Sequence, residues 1–301
     1  ARPVNPPSVG LVVPQAGAAG IAGAEAVWDV ADAADRAGSG VDHLWVSDHL
    51  LWWRPMYEAT ALLAALAGRT SRVGIGSAVL LLALRHPLLA AKALASVDRL
   101  SGGRLTLGVG VGGEYPPEWE AAGVPRSGRG RRTDRMLRQM RAWWSADDPT
   151  GLEPKPLGRL PVWIGGRTDA ALRRAGETGD GWMGIFATPE RYASQLAVAR
   201  AAAERAGRDP GALVPSLYVW ACVRDSGAEA RRAASALLPS FYRVPYDKLE
   251  RYVVAGTPAH CAERFAAFAA AGVRHLAVAP AVETVTAEPV HQLAEIGRML
   301  R

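Results

Sequence analysis

Cysteine is scarce in this 301-residue chain, which has only Cys222 and Cys261. Two are too few for a disulfide framework and too sparse for a zinc site, so no metal is expected. A reducing compartment, the cytoplasm, is the expected setting. Lysine stands only at Lys92, Lys155 and Lys248, the first in an expected helix and the others in loops, so none is poised for Schiff-base chemistry. Uninterrupted apolar runs are short. The longest, Val73 to Leu84, is cut off by Arg85 and His86 and falls short of the roughly 18 residues that a membrane span needs. The first residues, Ala1 to Pro7, have no apolar h-region behind a basic start, and no secretory signal is expected. No His-x-His pair, G-x-S-x-G elbow or G-x-x-x-x-G-K-[ST] loop occurs, which argues against a metal-dependent barrel hydrolase, an α/β-hydrolase and a P-loop enzyme.

What is present is the composition of an ordinary globular protein: 49% hydrophobic and 21% charged residues, with 32 Gly and 21 Pro scattered without a period. The formal net charge is +6, but the basic residues are spread along the chain and carry no nucleic-acid-binding motif, so no nucleic-acid partner is expected.

Short apolar runs alternate with helical patterns from end to end. Strands are expected at Ser8–Val13, His43–Ser47, Arg72–Val79, Arg104–Val109, Leu160–Ile164, Trp182–Phe186, Ser216–Val223 and His275–Ala279. Between them lie helical stretches. In Glu25–Ala37, Val27, Val30, Ala31 and Ala34 share one face and Gly38 gives the stop. Glu58–Ala67 is ended by Gly68, and the next helix opens at Pro87. Further helices are expected at Thr133–Trp144, Thr168–Glu177, Pro189–Ala206, Ala228–Leu238, Pro258–Ala270 and Glu288–Leu300. Eight strand–helix units favour a closed (β/α)8 TIM barrel over an open doubly wound sheet. No linker interrupts them, so residues 1–301 read as one domain. Reacting groups in such a barrel stand just past the strands.

After the second strand comes Ser47-Asp48-His49, then Trp52-Trp53. A histidine there can exchange a proton near neutral pH, with a carboxylate setting its tautomer. A helix cap by Asp48 and a packed His49 are the bland alternative, and the Trp pair either walls a pocket or packs under a loop. Ala78-Val79 offer no reactive group and by themselves read as plain buried strand. In Gly112-Gly113-Glu114 the glycines let backbone approach a ligand closely, and Glu114 is placed to face the mouth as an acid or acceptor. The Arg126–Arg135 cluster either grips an anionic tail or is a solvated face. Gly165-Gly166-Arg167-Thr168 opens a helix, and its free N–H groups, helix dipole and guanidinium favour a phosphate cradle over a mere turn.

Arg85-His86-Pro87 and Lys92, with Asp98-Arg99-Leu100-Ser101-Gly102-Gly103-Arg104-Leu105 running into Gly108-Val109-Gly110, resemble the bacterial luciferase-like monooxygenase family. Val46-Ser47-Asp48-His49, Gly165-Gly166-Arg167 and Gly179-Asp180-Gly181-Trp182 fit the same pattern. The resemblance implies a (β/α)8 barrel, usually a homodimer, holding FMN or the deazaflavin coenzyme F420. Gly112 to Pro125 looks most like the F420-dependent branch, whose coenzyme has a phosphate and a polyglutamate tail that suit positive charge. It implies hydride transfer between the deazaflavin C5 and a small organic substrate, with reduction of an activated C=C or C=N bond as plausible as alcohol oxidation. An FMN-dependent monooxygenase and a non-catalytic binding member are the alternatives. By the same resemblance Asp48 and His49 contact the deazaflavin head, Ala78-Val79 match a non-prolyl cis-peptide bulge behind the ring and Gly165 to Thr168 hold phosphate. His49, Trp53 and Glu114 match positions around the hydride-transfer centre of sugar-phosphate dehydrogenase members. Ala78 replaces a small polar residue of those members, which tells against a sugar-phosphate substrate. Trp52, Trp53, Trp119 and Trp182 suggest an aromatic-walled pocket.

Overall fold

A computed structural model describes residues 6–17 and 19–301; most of the N-terminal segment assessed for a signal therefore lies outside the described residues. Eight strands form the barrel: β1 (Ser8–Val12), β2 (His43–Val46), β3 (Gly74–Ser77), β4 (Leu105–Gly110), β5 (Val162–Gly165), β6 (Gly181–Ile185), β7 (Val214–Val223) and β8 (His275–Pro280). Each pairs in parallel with its chain neighbour, and β8 returns to β1 with Ser8 opposite His275, closing the ring.

The eight surrounding helices are α1 (Ala24–Asp35), α2 (Ala59–Arg69), α3 (Pro87–Leu100), α4 (Arg129–Trp143), α5 (Asp169–Thr178), α6 (Pro189–Arg205), α7 (Pro258–Ala270) and α8 (Glu288–Leu300). Their starts follow from local chemistry. Thr168, Thr188 and Thr257 cap α5, α6 and α7 through their hydroxyls, and prolines occupy the first turns of α3, α6 and α7. Each helix buries one stripe against the sheet: Val27, Val30, Ala31 and Ala34 of α1 are all buried. Gly68 does not end α2; the helix runs through it to Arg69, and Thr70 closes it by donating to the Leu66 carbonyl.

Two elements near the mouth were not expected from the sequence, and one expected helix, Ala228–Leu238, is longer than its pattern suggested. A six-residue helix, Pro116–Ala121, stands in the loop after β4. The helix after β7 runs from Gly227 to Tyr242, past Pro239. A short strand, Val253–Gly256, then pairs with Trp220–Val223 of β7, beyond the point where β6 has ended at Tyr218. It raises one wall of the barrel mouth and supports Trp220.

Bulky interior side chains fit because glycines face them. A Cβ on Gly10 would lie 2.3 Å from Trp45 Nε1, and one on Gly76 would lie 2.4 Å from Trp45 Cζ3. Trp45, fully buried, donates to His275 Nε2 at 2.9 Å, and Ser8 Oγ lies 2.6 Å from His275 Nδ1. These groups fill the end of the barrel opposite the mouth.

Candidate functional site

The C-terminal ends of all eight strands open on one cavity of about 480 Å3. Val12, Ser47, Ala78, Gly110, Gly165, Ile185, Tyr218 and Ala279 each reach it from a different strand or the turn just after it.

Its floor is set by the chain after β3. The Ala78–Val79 peptide is cis, so the buried-strand alternative for these residues does not hold. The Val79 side chain nests between two glycines: a Cβ on Gly110 would lie 2.4 Å from Val79 Cγ2, and one on Gly165 2.7 Å from Val79 Cγ1. Steric space decides the residue type at both positions. After the bulge the chain returns to β4 at Leu80–Leu81. Asp48 holds it there. Its Oδ2 accepts from the Leu81 N–H at 2.8 Å and from Arg85 Nη1 at 2.7 Å, while Oδ1 accepts from Arg85 Nη2 at 2.9 Å. Arg85 also reaches Glu58 at 2.7 Å. Burial by itself would lower the Arg85 guanidinium, but Asp48 and Glu58 outweigh it and hold it above its usual range. Asp48 thus lines the cavity but spends its carboxylate on Arg85 and Leu81, and it does not set the tautomer of His49.

Glu118 holds His49 instead. Both Glu118 oxygens lie 3.1 Å from His49 Nδ1, and the Glu118 side chain is fully buried. Pro116 and Pro117 open the short helix and place the buried Glu118 within its first turn, against His49. A carboxylate accepting from Nδ1–H leaves Nε2 as the nitrogen that exchanges a proton with the cavity. The imidazole stacks on Trp52, with ring centroids 3.7 Å apart and planes at 17°.

Of the four tryptophans suggested as walls, only Trp52 lines the cavity. Trp53 does not reach it; it packs on Trp52 and Tyr115. Trp119 and Trp182 are buried in the core. The remaining walls are Phe186, Trp220, Phe241 and Tyr242. Tyr242 accepts a 2.7 Å hydrogen bond from Trp220 Nε1, and burial, helped by Tyr218 and Glu114, raises its phenol well above the usual tyrosine value. Burial likewise pushes the Tyr218 phenol up to about 12, against a hydrogen bond to Ser47. Tyr242 therefore stays protonated at neutral pH, with its own O–H not spent on Trp220. Glu114 is exposed on the cavity rim.

Gly112 lines the cavity, but Gly113 does not: it lies beneath Arg129, whose Nε donates to the Gly112 carbonyl at 2.9 Å. Of the Arg126–Arg135 cluster only Arg129 reaches the cavity. Gly165, Gly166, Arg167 and Thr168 all do. Gly166 has φ +127°, open to glycine alone, and its carbonyl accepts from Trp182 Nε1 at 2.8 Å. The loop delivers the N-terminus of α5 to the cavity edge, with the exposed Arg167 beside it over the Phe186 ring. Sequence reasoning found the strand-end residues and missed Glu118, Tyr242 and Trp220. The signal for Glu118 was Pro116-Pro117 as a helix start; nothing local marks the other two.

The sequence profile of the luciferase-like monooxygenase family matches residues 9–250. The chain belongs to this family. Among curated relatives, an F420-dependent glucose-6-phosphate dehydrogenase of Amycolatopsis mediterranei is 27% identical over 298 residues, covering 82% of this chain and 87% of that one. An uncharacterized protein of Mycobacterium tuberculosis is 34% identical over 166 residues, a match spanning 52% of this chain and 57% of the relative's length. Solved structures share the fold. An F420-dependent secondary alcohol dehydrogenase superposes with a TM-score of 0.84 at 20% identity, covering 98% of this chain and 99% of that one. The monooxygenase RslO1 of Streptomyces bottropensis gives 0.79 at 23%, covering 97% and 96%. Among the described residues no helix is long and apolar enough to cross a membrane.

Proposed function

We propose that this protein is an F420-dependent oxidoreductase of the cytoplasm that exchanges a hydride between the deazaflavin C5 and a small organic substrate, reducing an activated C=C or C=N bond. The observation that carries this reading is the His49–Glu118 pair at the wall of the cavity. A substrate that gains a hydride must also gain a proton, and His49 Nε2 is the one histidine nitrogen at this mouth that can supply it. Relatives named for F420-dependent dehydrogenases support the choice of coenzyme.

The residues fit such a group. The cavity falls within the roughly 300–1,000 Å3 usual for cofactor sites. Val79 and Ala78 give an apolar floor, and the α5 N-terminus with Arg167 and Thr168 suits a phosphate. When bound, the coenzyme supplies the hydride chemistry. The chain's own residues do the rest. Glu118 fixes the imidazole, His49 holds or moves the proton at Nε2, and Trp52 stacks on the ring and keeps water from that face. Tyr242, its oxygen occupied by Trp220, aims its O–H at a substrate acceptor. Glu114 is a second acid or a substrate orienter at the rim, and Trp53 buttresses Trp52. We read residues 1–301 as one domain and the active form as a homodimer.

Anaerobic oxidation of reduced F420, followed by deazaflavin absorbance against a panel of enones, imines and small ketones, tests the reading. Turnover is expected with at least one class and is lost in His49→Ala, with coenzyme affinity nearly unchanged. Equal turnover by His49→Ala would remove the histidine from the reaction. The second reading, an FMN-dependent monooxygenase, draws on a structural neighbour solved with FMN, a Baeyer–Villiger monooxygenase component.

A further inference from the structure

A second cavity, of about 300 Å3, lies outside the barrel in the groove between α4 and α5. Arg138, Arg141, Arg173 and Arg174 line it, with Asp134 and Glu177. The charges do not balance. Arg174 is taken by Asp134. Arg141 donates to the Thr178 carbonyl at 2.7 Å and lies 3.6 Å from Asp180, a carboxylate that Arg159 and Arg208 also share. Arg138 and Arg173 pair with no carboxylate among the described residues. Four guanidinium groups therefore line the groove against two carboxylates, Asp134 and Glu177. Burial holds the Arg141 guanidinium below its usual range; Asp180 opposes this, and Arg159 and Arg208 add to it. Arg138 and Arg173 are exposed and keep their hydration, but like charges held side by side along a groove attract an anion.

The groove begins beside the phosphate end of the main cavity. Arg129 and Thr168 line that cavity, and the neighbouring Gly130 lies beneath Arg174, 2.9 Å from its Nη2 to a Cβ built on the glycine. Ala170 lines the groove while Ala171 lines the main cavity. From there the groove follows α5, whose ten residues span about 15 Å. We propose that the α4–α5 groove binds an oligocarboxylate, the glutamate tail that continues from the phosphate end of the coenzyme. This rests on the F420 reading above. Guanidinium forks suit carboxylates spaced along a flexible chain, each engaged bidentately without fixing the whole chain.

The test measures dissociation constants, by deazaflavin fluorescence, for coenzyme lacking glutamates and for coenzyme bearing several. Both are titrated into the wild type and into Arg138→Ala/Arg173→Ala, whose replaced side chains are exposed. A circular dichroism melt checks the fold, and a single Arg173→Glu variant serves if the double one unfolds. At low salt the tail-bearing form is expected to bind the wild type about tenfold more tightly. That advantage is expected to fall to within about threefold in the variant and in high salt, with tailless affinity unchanged in both proteins. Equal affinity of the two forms for the wild type overturns the groove and leaves the coenzyme reading standing. An advantage that survives the substitutions also overturns it. Binding of neither form overturns the coenzyme reading, and the groove with it.

Discussion

His49 owes its orientation to a residue 69 positions further along the chain. Glu118 is fully buried, and its two oxygens are equidistant from Nδ1, so the imidazole is held from behind while Nε2 serves the cavity. Replacing Glu118 by Gln keeps the size and loses the charge. We expect kcat to fall about 10- to 100-fold, as when the outer partner of a functional imidazole is removed. KM and coenzyme affinity should stay within about twofold on the same grounds, since Glu118 does not line the cavity. Steady-state kinetics with fluorescence titration check this, and a rise in KM alone would give Glu118 a different role. Sequence reasoning could name His49 because it directly follows a strand, where reacting groups of a barrel stand, and a histidine exchanges protons near neutral pH. It gave the orienting role to the adjacent carboxylate, Asp48, where Glu118 has it, because the two differ only in tertiary placement. Trp52 and Trp53 were indistinguishable for the same reason: which adjacent tryptophan faces the cavity depends on a turn that periodicity does not describe.

Among the elements, the β3 bulge depends on glycines in two neighbouring strands. Gly110→Ala would place a methyl 2.4 Å from Val79 Cγ2, an overpacking expected to cost about 1–3 kcal/mol and to weaken coenzyme binding. Adding Val79→Ala should restore most of the stability, a coupling readable by urea unfolding of the two singles and the double. Strict additivity would contradict the nesting described. The opposite end of the barrel carries a pH dependence. Burial, with His43 second, holds the His275 imidazole well below the usual histidine value; burial lowers His43 too, against Asp42. Both are thus neutral in the folded protein. Below about pH 6.5 the unfolded chain takes up protons that the folded state refuses, so stability falls as pH drops and is unaffected above that point. Each imidazole contributes a slope of up to about 1.4 kcal/mol per pH unit. Urea midpoints from about pH 7 to 5 should decline accordingly, and a flat profile would contradict it. Most elements were legible because short β-branched runs alternate with amphipathic stripes. The Pro116–Ala121 helix was hidden by its loop-like Gly and Pro surroundings, and the Val253–Gly256 strand by its brevity at a sheet edge.

At the scale of the whole molecule, closure of eight parallel strands concentrates on one rim residues that lie far apart in the chain. Strand count was enough to infer that rim. It was not enough to infer the wall raised by the extended β7, the strand beside it and the Gly227–Tyr242 helix, which bring Trp220 and Tyr242 together. Leu88, Leu89, Leu100 and Leu157 are exposed on the outer surface, apolar area that a second copy could cover. The central claim concerns the guest of the rim, and separate calorimetric titrations of the apoprotein with F420 and with FMN test it most directly. The account predicts saturable binding of F420 at micromolar concentrations or below and little or none of FMN; tight binding of FMN with none of F420 would contradict it.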